Sequence, residues 1–122
     1  MSIKKSILAN DNNVEVKLHK PMNTGEVVKI NVATQAASNP ADNDNNGVFG
    51  VLVTGGVTGE YVSTRIRGMV NVKLGATATA GNYVLPQADN KVDPSTASEM
   101  SFIKIFENGD DGDLVVGSIV SQ

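Results

Sequence analysis

Cysteine and tryptophan are absent from this sequence, and aromatic residues make up only 4% of it. Without cysteine there is no disulfide, no thiolate metal site and no cysteine nucleophile. That absence agrees with a chain made in a reducing cytoplasm. Positive charge is not in surplus: 10 Lys and Arg stand against 13 Asp and Glu, a formal net charge of −3. A nucleic-acid binder needs cations to displace counterions from phosphates and rings to stack on bases, so no nucleic-acid partner is expected. Lys4-Lys5 and Arg65-Ile66-Arg67 are the only concentrations of basic charge, each too short to line a groove. No apolar run reaches the length that spans a bilayer, and residues 3–9, interrupted by Ser6, fall short of a signal peptide's hydrophobic region. No membrane partner is expected.

Catalytic groups are equally sparse, and the chain is not expected to be an enzyme. His19 is the single histidine and continues the solvent-facing parity of Glu15 and Lys17, which suits a surface side chain better than a general base. No serine stands in a Gly-x-Ser-x-Gly context. Gly55-Gly56-Val57-Thr58-Gly59 lacks the Gly-Lys-Ser/Thr ending and the following helix of a phosphate loop, and reads as a turn between strands. Asp42-Asn43-Asp44-Asn45-Asn46-Gly47 reproduces the first half of a calcium loop, but its twelfth position is Val53 where a bidentate carboxylate belongs. No metal and no cofactor are expected. This loop and Asn108-Gly109-Asp110-Asp111-Gly112-Asp113 read as polar tips rich in turn-forming side chains.

What is present is alternation. Val14-Glu15-Val16-Lys17-Leu18 places apolar residues at every second position, as do Val28, Ile30 and Val32. Period two is the mark of half-buried strands, and no sustained 3.6-residue spacing competes with it. The longest case carries Val62, Thr64, Ile66, Gly68, Val70, Val72 and Leu74 on one parity, with Arg65, Arg67, Asn71 and Lys73 on the other. It predicts one long strand, or two in line, bent at Gly68 so that the chain passes from one sheet to another. Val48-Phe49-Gly50-Val51-Leu52-Val53 is apolar on both parities, and residues 114–120 nearly so. Such strands are either central or covered by a second subunit. Val48, Phe49, Val51, Val53, Val115 and Ile119 are therefore the expected oligomer interface of a homotrimer. Residues 102–106 predict a further short strand, and Asp93-Pro94-Ser95-Thr96-Ala97-Ser98-Glu99-Met100 at most one or two helical turns.

A weak repeat runs through the chain: Gly25-Glu26-Val27-Val28, Gly59-Glu60-Tyr61-Val62, Gly81-Asn82-Tyr83-Val84 and Gly112-Asp113-Leu114-Val115. Each reads as a turn released into a strand, with glycine supplying a positive φ. The unequal spacing excludes a solenoid. Residues 14–122 therefore predict a single all-β domain, a barrel or two-sheet sandwich of roughly eight strands. Residues 1–13 are expected to form a flexible arm ahead of it, set off by Asn10-Asp11-Asn12-Asn13.

Three stretches resemble the capsid cement, or head decoration, proteins of tailed bacteriophages. The run from Gly47-Val48-Phe49-Gly50-Val51 through Thr58-Gly59-Glu60-Tyr61-Val62 is similar to that family's glycine-valine strand leading into a Gly-Glu turn. It continues in Thr64-Arg65-Ile66-Arg67-Gly68-Met69-Val70-Asn71-Val72, and then in Thr79-Ala80-Gly81-Asn82-Tyr83-Val84, where the family has a Thr-Ala-Gly-Asp-x-Val stretch and a small hairpin. Asn82 replaces the commoner aspartate. The resemblance implies a virion structural protein on the outer capsid surface, with the major capsid protein as partner, stabilising contacts between its subunits. It implies a trimer at local threefold positions. On this reading Ile3, Lys4, Lys5, Ile7 and Leu8 form a capsid-binding arm that adds a strand to a neighbour's sheet edge. The alternative is a carbohydrate- or host-surface-binding β-module, which the shortage of aromatic platforms opposes.

Overall fold

The computed structural model describes residues 12–95 and 102–120. Ten strands form within them: β1 (Asn13–Lys17), β2 (Val27–Asn31), β3 (Ala36–Ser38), β4 (Val48–Leu52), β5 (Tyr61–Arg65), β6 (Gly68–Lys73), β7 (Tyr83–Pro86), β8 (Val92–Pro94), β9 (Ile103–Ile105) and β10 (Leu114–Ile119). The first five close into a barrel in the order β1-β3-β2-β4-β5, and the other five form a sheet in the order β6-β10-β9-β7-β8. Barrel and second sheet are thus both present, and no helix occurs among the described residues.

The two sheets are built alike. β1 pairs antiparallel with β5 as β6 does with β10, and β4 with β5 as β9 with β10. β2 lies between β3 and β4 as β7 lies between β8 and β9. Antiparallel bridges Met22↔Gly56 and Ala78↔Gly109 occupy the same place in each half. The parallel pair Lys17↔Ala36 that joins β1 to β3 and closes the barrel recurs as the parallel bridge Leu74↔Val92. This connectivity aligns residues 14–30 with 70–86 and 49–66 with 102–119. Val14-Glu15-Val16-Lys17-Leu18 then falls on Val70-Asn71-Val72-Lys73-Leu74, and Phe49, Gly56, Gly59, Val62 and Ile66 fall on Phe102, Gly109, Gly112, Val115 and Ile119. The chain is a five-strand unit used twice. The four glycine turns belong two to each copy, and this is why their spacing along the whole chain is uneven.

Each of those turns is held in the same way. The glycines have φ of +88° (Gly25), +88° (Gly59), +95° (Gly81) and +91° (Gly112), the value a type II turn requires at its third residue. The next residue donates its backbone N–H to the first residue's carbonyl: Glu26 to Asn23, Glu60 to Val57, Asn82 to Thr79 and Asp113 to Asp110. Its side-chain oxygen accepts the first residue's N–H in return, at 2.7 Å for Glu26 and Glu60 and 2.9 Å for Asn82 and Asp113. The acid or amide after each glycine therefore locks a turn.

Inside the barrel lie Val14, Val16, Leu18, Met22, Val28, Ile30, Ala37, Leu52, Val62 and Ile66. A second core takes Val70, Val72, Leu74, Val84, Ile103, Ile105, Val115 and Ile119 from the second sheet together with Val27, Phe49 and Val51 from the outside of the barrel. β4 is thus a wall between two cores, with Leu52 on one side and Phe49 and Val51 on the other. Its two-sided apolar character is satisfied within one chain. Phe49 and Phe102, equivalent residues of the two halves, meet across the junction with ring centroids 5.6 Å apart and planes inclined at 57°. Asn90, buried and at φ 67°, clips the halves together: its carbonyl accepts the N–H of Val27 and its Nδ2 donates to the Val27 carbonyl at 2.9 Å. Lys20 Nζ reaches its Oδ1 at 2.6 Å.

Several expectations change. The long alternating run keeps its parity, with Val62, Thr64, Ile66, Val70, Val72 and Leu74 all buried. As expected of a chain that bends at Gly68 and passes between sheets, it forms two strands, β5 in the barrel and β6 in the second sheet, with Gly68 at φ +91°. Asp93 and Pro94 belong to β8 and start no helix, because Asp93 pairs with Leu85 and Pro94 with Val84; residues 96–100 of that expected helix lie outside the described residues. β10 alternates cleanly, Val115 and Ile119 buried and Leu114 exposed. β3 forms at Ala36–Ser38, where the sequence pattern predicted no strand.

Candidate functional site

The sequence-derived interface residues divide sharply. Phe49, Val51, Val115 and Ile119 are buried in the core of the single chain, Val48 is half-buried and Val53 is exposed. The burial of the first four corrects the argument that placed them between subunits: the cover expected from a second copy comes from the other half of the same chain. Ile3, Lys4, Lys5, Ile7 and Leu8 lie outside the described residues. His19 stands exposed, with Nε2 2.7 Å from the Asn39 side-chain oxygen. The glycines at 55–59 form the β4–β5 turn, where Gly56 bridges Met22.

The Asp42–Gly47 loop is more than a polar tip. Asp44 is only 8% exposed, and its carboxylate accepts the backbone N–H groups of Ala41 and Asn46 at 2.9 and 3.0 Å. Lys29 Nζ lies 3.4 Å away. Burial pushes the Asp44 pKa up, but the two amides and the ammonium together outweigh it and hold the pKa below 3.8. Asp42 turns outward to accept the Ala88 N–H at 3.0 Å, and Asn43 and Gln87 bond reciprocally at 2.9 and 3.1 Å. Asp44 thus braces the loop internally, while the bonds of Asp42 and Asn43 to Ala88 and Gln87 tie it to the second half.

Two features of the surface carry more chemical interest. Asp93 on β8 has one carboxylate oxygen buried without a hydrogen-bond partner. Burial, then the charges of Asp89, Asp111 and Asp42, push its pKa above 3.8, with Lys91 opposing. The second feature is an open cleft of about 310 Å³ at the junction of barrel and sheet, lined by Thr24, Val53, Arg65, Met69, Asn71 and Val116 among others. Arg65 frames one end: its Nε donates to Asn13 Oδ1 and its Nη1 to the Met69 carbonyl, both at 2.9 Å. Met69 and Val53 are 51% and 40% exposed, apolar groups left at the cleft's rim.

The sequence pattern placed Arg65, Asn71 and Lys73 on the outer parity of the long run but singled out neither Met69 nor Val116. The available signal was Met69 itself, an apolar side chain interrupting a row of polar ones. Among the described residues no group of three or more His, Cys, Asp or Glu side chains is arranged to hold a metal ion.

No family model matches the chain, and no curated protein matches it. A solved structure does: the crystal structure of the head fiber gp8.5 N base in bacteriophage phi29 has the same fold, with a TM-score of 0.71, 16% identity, and coverage of 88% of this chain and 92% of that one.

Proposed function

We propose that this chain is a bacteriophage virion structural protein, seated on the outer surface of the head and made in the host cytoplasm. The observation that carries the reading is the fold shared over nearly the full length of both chains with a head fiber base. The partner on this reading is the major capsid protein. The finer role is that of a cement protein that bridges capsid subunits. Such a protein stabilises by linkage, because it binds the assembled shell and not free subunits, so assembly gains in proportion to its occupancy. Many copies on one lattice reinforce one another without any single strong contact. A homotrimer at local threefold positions belongs to the same proposal.

The rival reading, a carbohydrate- or host-surface-binding module, asks for a cluster of exposed rings. Tyr61 and Phe106 are exposed, but they stand on different halves of the molecule.

The test is decoration. Heads of the parent phage lacking this protein are mixed with the purified chain and imaged by cryo-electron microscopy. Ordered density at fixed lattice positions, with heads that resist heating longer, is the expected result. Bare shells at micromolar protein overturn the reading, and light scattering of the free chain reads its assembly state.

A further inference from the structure

Because the chain uses one unit twice, each half serves as a control for the other. The outer faces of β1–β5 and β6–β10 are in equivalent register, so their side chains compare position by position. At three of these positions the first half presents the polar Asn13, Glu15 and Ser63, and opposite Lys17 it carries exposed Tyr61 where the second half has Leu114. The second presents Met69, Asn71 and Val116 at the same positions. Two apolar side chains have replaced two polar ones, and an acid has gone. The fold does not require this, since the first half keeps the same pairing without it.

The apolar residues are contiguous. Val116 pairs with Asn71 and receives the Phe106 N–H at its carbonyl, Ser118 lies between Met69 and Lys104, and Leu114 is opposite Lys73. Met69, Leu114 and Phe106 are 51%, 51% and 48% exposed. This patch continues into the cleft beside Arg65 and Val53. At about 310 Å³ the cleft is at the small end of ligand pockets, roughly 300–1,000 Å³, and open enough for a protruding side chain. Contiguous exposed apolar surface with a charged rim is the anatomy of a protein interface.

The rim chooses the partner. Arg65, Lys73 and Lys104 surround the patch, and none of the three is in an ion pair among the described residues. The nearby acid, Glu107, spends its carboxylate on the Val116 N–H at 2.7 Å. On a chain of net charge −3, this face is locally cationic. We infer that the outer face of β6, β10 and β9, with the cleft beside it, docks an acidic protein surface that inserts an apolar side chain next to Met69. Resting on the function proposed above, that surface is the outside of the assembled head. Apolar contact holds the complex, and the rim cations speed its encounter and orient it.

The experiment uses the full chain and heads lacking it. Met69→Asp and Val116→Asp are expected to lower head occupancy at least tenfold, and Lys73→Glu to lower it a few-fold while flattening its salt dependence. Ser63→Asp, the equivalent position of the first half, is expected to change nothing. A second readout needs no variant: peroxide oxidation of Met69 in the wild-type chain slows severalfold on heads, while buried Met22 stays protected in both states. Wild-type decoration with unchanged occupancy in the aspartate variants and no protection of Met69 overturns this inference and leaves the functional proposal standing. Failure of the wild-type chain to bind heads overturns both. Self-association of the free chain that Val116→Asp abolishes while head binding persists identifies the occupant as a second copy, and overturns the inference too.

Discussion

In the first half of the molecule the single parallel pair Lys17↔Ala36 joins β1 to β3 and closes the barrel; in the second, Leu74, just past the end of β6, bridges Val92 of β8, and the sheet stays open. The residues beside the two bridges differ as well. Asp93 on β8 occupies the place of Ser38 on β3, and its carboxylate lies against Gly75, where a Cβ would stand 2.6 Å from Oδ1. Pro94 follows it and has no N–H to offer a neighbouring strand. A carboxylate and a proline thus stand on the strand at the open side of the second sheet. The same strand order thus survives where interior parity and locked turns are kept, while seams and outer faces are free to diverge. That freedom is where function can enter.

The comparison is most exposed to test at the junction. If the halves are held mainly by Phe49 against Phe102, Phe49→Ala and Phe102→Ala should each cost about 3–5 kcal/mol in urea unfolding. The double variant should cost clearly less than the sum, since the rings touch. Additive losses would mean that the halves are secured elsewhere.

The interiors offer a sharper version. In the barrel Gly50 faces Thr64, whose methyl already occupies the space a Cβ would need; in the second sheet the sizes are exchanged, and Ile103 faces Gly117 with its Cγ2 2.8 Å from where a Cβ would be. Ile103→Ala should therefore cost about 2–5 kcal/mol by leaving a cavity. Gly50→Ala should cost about 1–3 kcal/mol by overpacking. Adding Thr64→Gly to Gly50→Ala should return part of that loss, despite the backbone freedom the new glycine brings. No recovery in thermal melting would break the equivalence of these two sites.

The turns predict sameness. Glu60→Ala and Asp113→Ala each remove one side-chain bond to a backbone amide at an exposed turn, so both should lose about 0.5–1.5 kcal/mol. Glu60→Gln and Asp113→Asn, which keep an acceptor, should lose less, as Asn82 already does this work in its own turn. Chemical denaturation of the four variants reads the outcome, and a large asymmetry would show that the two locks are not equivalent.

The smallest effect is a difference of sign with pH. Asp44 in the first half has its folded pKa lowered, so the stability it contributes is present above pH 3.8 and is lost as pH falls through the folded value. Asp93 in the second half has its pKa raised by burial and by the neighbouring acids. Its contribution is full below pH 3.8 and is lost as pH rises through the folded value. Asp93→Asn should therefore raise the thermal midpoint at pH 7, with a gain that shrinks towards pH 3.8, while Asp44→Asn should lower it. Parallel responses in the two variants would count against the opposed environments.

Much of this was written in the local sequence. Period-two alternation placed β1, β2, β5 and β6, because a strand with one buried face must alternate, while β9 and β10 were read from short apolar runs. The four glycine turns were legible because only glycine takes their φ without strain, though the acid's role as the lock needed the hydrogen bonds to show it. β3 and β8 were not read as strands because Ala36–Ser38 and Val92–Pro94 hold no apolar run like that of residues 102–106. What the tertiary structure alone decided is which half covers which strand. Val48 to Val53 looked the same in sequence whether its second face met another subunit or another part of its own chain. The side of β10 that carries Val116 became a candidate docking surface only when the duplicated fold set it beside its polar counterpart. Alternation reports that a face is buried, since burial is a property of the residue; the identity of what buries it is a property of contacts between residues far apart along the chain, and these no local pattern encodes.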